Sequence, residues 1–260
     1  MTLNFTDKVA VITGGGSGLG EATAAKLADS GAKVVLVDID DEGLARVKKQ
    51  LGEDNALTVN ADISDEVAMK DVYAKTEARF GRVDIVFANA GINGVWAPLE
   101  ELGVDEWRKT IDNNLTGTFL TVKHAVPLLK KRGGSVIITA SVNGTRVFSN
   151  TGATAYSSSK AGQIGFMKMV ALELAQYKIR VNAICPGAIQ TQINDSTKER
   201  DIDEVKEPVQ YPEGRIPLTD GEAGDPEEVA NLVAFLASDA ASHITGTPLW
   251  IDGAESLLQG

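Results

Sequence analysis

Tyr156 and Lys160 stand four positions apart in Ala155-Tyr156-Ser157-Ser158-Ser159-Lys160-Ala161, a stretch that reads as the opening of a helix. At that spacing two side chains share one helix face. A phenol with a pKa of about 10 is a poor base near neutrality. A neighbouring ammonium stabilises the phenolate and lowers that pKa. The pair can then take a proton from an alcohol, or give one to the alkoxide that develops from a ketone. Ser141 ends the apolar run 135–140 and is placed to donate a hydrogen bond to the same oxygen. The hydride half of such a redox step is the work of a nicotinamide.

A nicotinamide dinucleotide needs a strand, a glycine-rich turn and a helix in that order. The apolar run 9–12 leads into Thr13-Gly14-Gly15-Gly16-Ser17-Gly18-Leu19-Gly20, and 21–30 follows with the alanine and leucine spacing of a helix packed on a sheet. Glycines let the backbone approach a pyrophosphate, and the helix N-terminus offers N–H donors and a positive dipole end. The spacing of Gly14, Gly18 and Gly20 is G-x-x-x-G-x-G, and no Lys-Ser/Thr pair follows, which excludes a Walker A loop. A second buried strand, 33–37, ends at Asp38, eighteen positions past Gly20. An acidic residue there meets the adenosine ribose. It would accept from both hydroxyls and repel a 2′-phosphate. No Arg or Lys sits in the glycine turn or directly after Asp38, so the expected cofactor is NAD (NADH).

The remaining chain alternates strands with helices. Strands are expected at 56–59, 83–88, 135–140, 179–184 and 249–251, and helices at 43–51, from Ser64, at 105–130 with Asp105 as N-cap, from 155 to about 177, and at 226–238 with Pro226 in its first turn. This pattern means βαβ units and a parallel sheet. The fold class is therefore α/β: one Rossmann-fold domain over 1–260, a doubly wound parallel sheet of about seven strands with helices on both faces. Asp62, after the third strand, suits either an adenine contact or a turn. Asn89-Ala90-Gly91 closes the fourth strand with small residues that admit a ligand closely. Asn113 and Asn114 lie inside a helix that does not favour them. The segment 94–102 reads as irregular. The segment 190–225 is charged, carries Pro208, Pro212 and Pro217, and has no strand pattern. It is expected to be a substrate lid, with a short helix within 196–205.

Composition narrows the function class. Apolar residues make up 43% of the 260 and charged residues 23%, a globular balance. The net charge of −11 comes without any basic run, which argues against nucleic acid. No apolar run reaches membrane-spanning length, and 1–7 lacks an apolar signal region, so a soluble cytoplasmic protein is expected. Cys185 is the single cysteine, excludes an internal disulfide, and reads as a small buried hydrophobe. His124 and His243 are too few and too far apart for a metal site. Trp96 follows the fourth strand on the expected substrate side, as pocket wall or as packing.

The chain resembles the short-chain dehydrogenase/reductase family over nearly its whole length. Residues 13–20 match that family's T-G-x-x-x-G-x-G, Asn89-Ala90-Gly91 its N-A-G, 156–160 its Y-x-x-x-K with Ser141 upstream, Pro186-Gly187 its P-G, and Ile251-Asp252-Gly253 its closing V/I-D-G. The resemblance implies a catalytic group of Asn114, Ser141, Tyr156 and Lys160, with Asn114 supporting a water relay to the lysine. Lys160 would also hold the nicotinamide ribose. It implies cofactor contacts from Gly14, Ser17, Gly18, Leu19, Gly20, Asp38, Asp62, Ile63, Asn89, Ala90, Gly91, Tyr156, Lys160, Pro186, Gly187, Ile189 and Thr191. It also implies a small alcohol or ketone substrate and a homotetramer, or a homodimer, paired through the apolar faces near Phe119-Leu120 and 166–171. Two departures stand out. Ser141 and Tyr156 are fifteen apart, slightly more than the family's usual spacing, and Ala254 replaces the second glycine of a closing D-G-G. A 3-oxoacyl-carrier-protein reductase is the competing enzyme reading, disfavoured by Asp38. A catalytically silent NAD-binding sensor is disfavoured by the intact Ser141, Tyr156, Lys160 and Asn114.

Overall fold

The computed structural model describes residues 3–148, 150–205 and 216–258. Seven parallel strands form the sheet, in the order β3-β2-β1-β4-β6-β7-β9. In chain order they are β1 (Val9–Thr13), β2 (Lys33–Asp38), β3 (Ala56–Asn60), β4 (Ile85–Ala88), β6 (Gly134–Thr139), β7 (Ile179–Pro186) and β9 (Pro248–Ile251). The order reverses between β1 and β4, and ligands bind beyond the carboxyl ends of strands at such a switch point.

Strand alternation sends successive side chains to opposite faces, and both faces are covered. Val9, Val11, Val35, Val37 and Val86 pack in one core cluster, under α3 (Glu66–Phe80), α5 (Gly117–Leu129) and α6 (Thr154–Leu174). Ala10, Ile12, Val34, Leu36 and Phe87 pack in the other, under α1 (Gly18–Asp29), α2 (Asp41–Leu51) and α7 (Pro226–Ala237). That two-sided burial is why these strands read as continuous apolar runs. No helix among the described residues is long and apolar enough to cross a membrane.

Five expectations need correction. The helix expected from Ser64 begins at Glu66, because Asp65 caps it, accepting from Val67 N at 2.7 Å. The helix expected at 105–130 is α4 (Val104–Ile111), a wide π turn at Asp112–Thr116, and α5. Gly103, not Asp105, precedes it, and Glu106 Oε2 accepts from Gly103 N. The stretch expected to be irregular contains β5 (Gly94–Trp96), paired in parallel with β8 (Thr197–Glu199). The start of the expected lid is therefore a strand between two short 3₁₀ turns, Gln192–Ser196 and Ile202–Glu204, and no α-helix forms within 196–205. Pro208 and Pro212 lie outside the described residues. Elsewhere α6 runs on as a 3₁₀ turn at Ala175–Tyr177, and α7 begins at Pro226, so both helices follow the expected spans closely.

Candidate active site

The glycine turn forms because its residues can adopt what other residues cannot. Gly14 and Gly18 have φ of +66° and +51°. At Gly20 a Cβ would lie 1.9 Å from the carbonyl oxygen of Gly14, so only glycine lets α1 start this close to β1. Gly15 N donates to Val37 O at 3.2 Å, fastening the turn to β2. Gly18 and Leu19, in the first turn of α1, thus line the cleft, where a helix's first N–H groups have no partner within the helix.

Asn89 ties three strand ends together. Its Nδ2 donates to Thr13 O at 3.1 Å, its Oδ1 accepts from Thr139 Oγ1 at 3.0 Å, and its N–H donates to Thr13 Oγ1 at 2.9 Å. Asp38 is likewise fixed. Its Oδ2 accepts from Gly16 N at 3.0 Å, and its Oδ1 from Ile39 N at 2.8 Å and Asp40 N at 3.2 Å. Its carboxylate thus sits against the glycine turn with lone pairs partly used.

At the other end of the cleft, Ser141, Tyr156 and Lys160 meet. All three are buried, Lys160 to within 2% of full burial. Ser141 Oγ accepts from Asn143 N at 3.1 Å and is near enough to Tyr156 to pull its pKa down. Lys160 Nζ donates to Thr139 O at 2.7 Å and lies 5.6 Å from the Tyr156 ring centroid. The extra length between Ser141 and Tyr156 is taken up by a 3₁₀ turn at Val142–Gly144 and the loop after it. Gly144 lets that turn press onto α6: a Cβ there would sit 2.6 Å from the Lys160 backbone.

Burial dominates the electrostatics. It raises the Tyr156 pKa, with Ser141 acting in the opposite direction. It lowers Lys160 from 10.5 to about 8 and raises Cys185 to about 11. The buried thiol is thus protonated at neutral pH, as a small core residue would be.

Asn114 is fully buried and holds the loop after β4. Its Oδ1 accepts from Ile92 N at 2.8 Å, and its Nδ2 donates to Ile92 O at 2.9 Å and Ser159 Oγ at 3.0 Å. The π turn frees its main-chain carbonyl, which accepts from Gln163 Nε2 at 2.8 Å and Thr118 Oγ1 at 2.7 Å. π turns recur at functional sites because they re-aim one residue without ending a helix.

A cleft of about 310 Å³ joins these parts. Of the residues named from sequence, Gly14, Ser17, Gly18, Leu19, Asp38, Asn89, Ala90, Gly91, Ser141, Tyr156, Lys160, Pro186, Gly187, Ile189 and Thr191 line it. Gly20 packs beneath it. Asp62 closes a turn, its Oδ1 accepting from Ser64 N at 2.8 Å and Ser64 Oγ at 2.7 Å. Ile63 packs against Gly117, and Asn114 stands behind the wall. Asn113, already marked by its place in a helix that does not favour it, and Gln192 line the cleft too, as do Thr139 and Ile92, which were not singled out from sequence. Arg46 also escaped notice: from α2 its Nη2 donates to Gly16 O at 2.8 Å, while its guanidinium pairs with Glu21. Nothing in the local pattern of α2 marks that reach.

The cleft fits a dinucleotide on two structural grounds. Its glycine turn has no room for a Cβ at Gly14 or Gly20, and Asn113 Oδ1 is buried in the wall with no donor among the described residues.

The comparisons with known proteins agree. Residues 14–254 match the family model described as enoyl-(acyl carrier protein) reductase. The chain is 41% identical over 262 residues to levodione reductase of Leifsonia aquatica, covering 98% of this chain and 96% of that one. A solved 3-ketoacyl-ACP reductase from Sinorhizobium meliloti 1021 is 48% identical, with a TM-score of 0.93, over 96% of this chain and 99% of that one. A 3-ketoacyl-(acyl-carrier-protein) reductase from Brucella melitensis, complexed with NADH, is 33% identical, with a TM-score of 0.86, over 97% and 100%. With a family model spanning nearly all of it and relatives this similar over their full length, the chain belongs to the short-chain dehydrogenase/reductase family of oxidoreductases.

Proposed function

We propose that this protein is an NAD(H)-dependent oxidoreductase that interconverts a secondary alcohol and a ketone, with Tyr156 as general acid/base. The observation that carries the reading is that Ser141, Tyr156 and Lys160 line one cleft that runs to Asp38. A bound nicotinamide would supply or accept the hydride. The glycine turn and the first N–H groups of α1 would hold its pyrophosphate, and Asp38 the adenosine ribose. A 2′-phosphate would meet a carboxylate already fixed by three backbone N–H groups, which favours NAD over NADP. The Brucella relative in complex with NADH supports the same choice.

In the reducing direction Ser141 and Tyr156 grip the ketone oxygen, and Tyr156 gives its proton as charge develops there. Oxidation runs the same transfer backwards. Lys160, with Nζ 5.6 Å from the Tyr156 ring centroid, brings a positive charge near the phenol that would favour a developing phenolate. Asn114 acts through position: it fixes the loop at Ile92 and the helix that carries Ser159 and Lys160.

A homotetramer accompanies this reading. Met169 and Leu172 on α6 are 72% and 81% exposed, and Phe119 of α5 is 41% exposed beside Phe166. Such a face is what a subunit contact would cover.

The 3-oxoacyl reductase reading has specific support in the names of the Sinorhizobium and Brucella structures. Assays with NADH and NADPH against ketones, diketones, keto sugars and an acetoacetyl thioester separate the two. Turnover chiefly with NADH and free ketones upholds the proposal. Turnover chiefly with NADPH and the thioester replaces it.

A further inference from the structure

A second cavity, of about 430 Å³, opens beside Ser141 and Tyr156, walled by the turn that follows Ser141 and by the loop after β7. Three of its carboxamides differ in what they already hold. Asn93 Nδ2 donates to Thr197 Oγ1 at 2.8 Å, and Gln190 Nε2 donates to Ala223 O at 3.2 Å. Asn143 is 8% exposed, yet its carboxamide has no hydrogen-bond partner among the described residues. Trp96 Nε1 and Gln163 Oε1 are sealed in the interior without partners, but neither amide atom of Asn143 is closed off in this way. The cavity is the open space that Asn143 lines.

The backbone that carries this amide is fixed. Asn143 N donates to Ser141 Oγ at 3.1 Å, Thr145 Oγ1 donates to Ser141 O at 3.0 Å, and Arg146 N donates to Val142 O at 2.8 Å. The root of the side chain is thus tied to the hydroxyl that faces the reacting oxygen, one short turn away. A carboxamide both donates and accepts, so it bonds a hydroxyl or a carbonyl equally well. Held this far out of water, it gains most from a polar group that enters the cavity. We infer that Asn143 is a specificity determinant whose carboxamide bonds a second oxygen of the substrate, and that the substrate is a ketone or alcohol carrying a further hydroxyl or carbonyl. This rests on the reading of Ser141 and Tyr156 as the pair that grips the reacting oxygen. A site built to bond an oxygen discriminates against the analogue that lacks it, because its own polar group then stays unpaired.

The test compares cyclohexanone and butanone with their hydroxy and oxo derivatives, using the cofactor-loaded protein as wild type, Asn143→Leu and Asn143→Ala. Leucine keeps the volume and alanine avoids any clash. Both keep the backbone N–H that Ser141 accepts. An added oxygen also alters the intrinsic reactivity of a ketone, so the quantity read is kcat/KM of each derivative over that of its parent. Intrinsic reactivity cancels when that ratio is compared between wild type and variant. The best derivative is expected to exceed its parent by about tenfold or more in wild type, and the ratio to fall by about tenfold in either variant. A purely structural role would lower parents and derivatives together. An unchanged ratio in the folded variants, or an unsubstituted ketone as the best wild-type substrate, overturns the inference. If none turns over, calorimetric titration of the same ketones into the cofactor-loaded wild type decides, and derivatives binding no tighter than their parents overturn it. Turnover that survives Tyr156→Phe would instead remove the catalytic reading beneath it, without moving the ratio at Asn143.

Discussion

Lys160 Nζ donates to the main-chain oxygen of Thr139 at 2.7 Å, where β6 ends against the cleft. The ammonium is buried with this neutral acceptor as its one hydrogen-bond partner among the described residues, and its pKa falls from 10.5 to about 8. The unfolded chain therefore binds this proton more tightly than the folded one. Between those two values unfolding takes up a proton, so the destabilisation is complete below pH 8 and fades as pH rises toward 10.5. Lys160→Met is expected to stabilise the cofactor-free protein by about 2 kcal/mol at pH 7, after the lost hydrogen bond is deducted. That gain should vanish near pH 10.5. Urea unfolding at the two pH values checks this, and a gain that does not change with pH contradicts it.

Asn114 satisfies Ile92 N, Ile92 O and Ser159 Oγ at once. Asn114→Ala leaves the half-buried Ile92 N–H and C=O without these partners and is expected to cost about 1–3 kcal/mol of stability. Because those bonds hold Gly91 and Lys160 in register, kcat should fall by about tenfold or more at a temperature where the variant is folded. Chemical denaturation and steady-state kinetics on one preparation test both, and unchanged kcat would make Asn114 purely structural.

Asp38 accepts three backbone N–H groups and has an exposed surface toward the cleft. Asp38→Ala removes both the ribose acceptor and the charge that disfavours a 2′-phosphate. The preference for NADH over NADPH, read as a ratio of dissociation constants, is expected to fall by about tenfold or more. Arg46, already on Gly16 O, then offers a cation beside the glycine turn. A ratio that does not move places cofactor choice elsewhere.

Arg200 fastens β8 to α4, donating to Glu106 Oε1 at 2.9 Å and Oε2 at 3.0 Å. The two groups pull each other's pKa apart, Glu106 down and Arg200 up. The pair lies at the surface, so Arg200→Ala should leave global stability nearly unchanged. Its effect should be local: faster hydrogen exchange across Thr197–Glu199, and a rise in KM larger than any fall in kcat. A global loss of protection instead would mean that this pair is part of the core scaffold.

Much of this architecture was legible in the chain because its causes are local. Buried parallel strands read as apolar runs at 9–12 and 33–37, the glycine turn follows from spacing, and Tyr156 and Lys160 share a face by helix geometry alone. The features that were not legible have distant causes. The π turn at Asp112–Thr116 is stabilised by Ile92 and by Gln163, 22 and 49 residues from Asn114. β5 and β8 are three residues each and find each other across about a hundred positions. A three-residue strand carries no periodicity to read. Arg46 shows only the pattern of an exposed helix face, and its contact with Gly16 exists once α2 has packed beside the turn.

Tyr156→Phe tests the central claim most directly. It removes the proton that Ser141 positions and leaves the Asp38 end of the cleft untouched. Ketone reduction and NADH affinity should be measured on the same preparation. Turnover should fall by about a thousandfold, within the range for one general acid, with an NADH dissociation constant within about threefold of wild type. A variant that binds NADH and keeps most of its activity would contradict it.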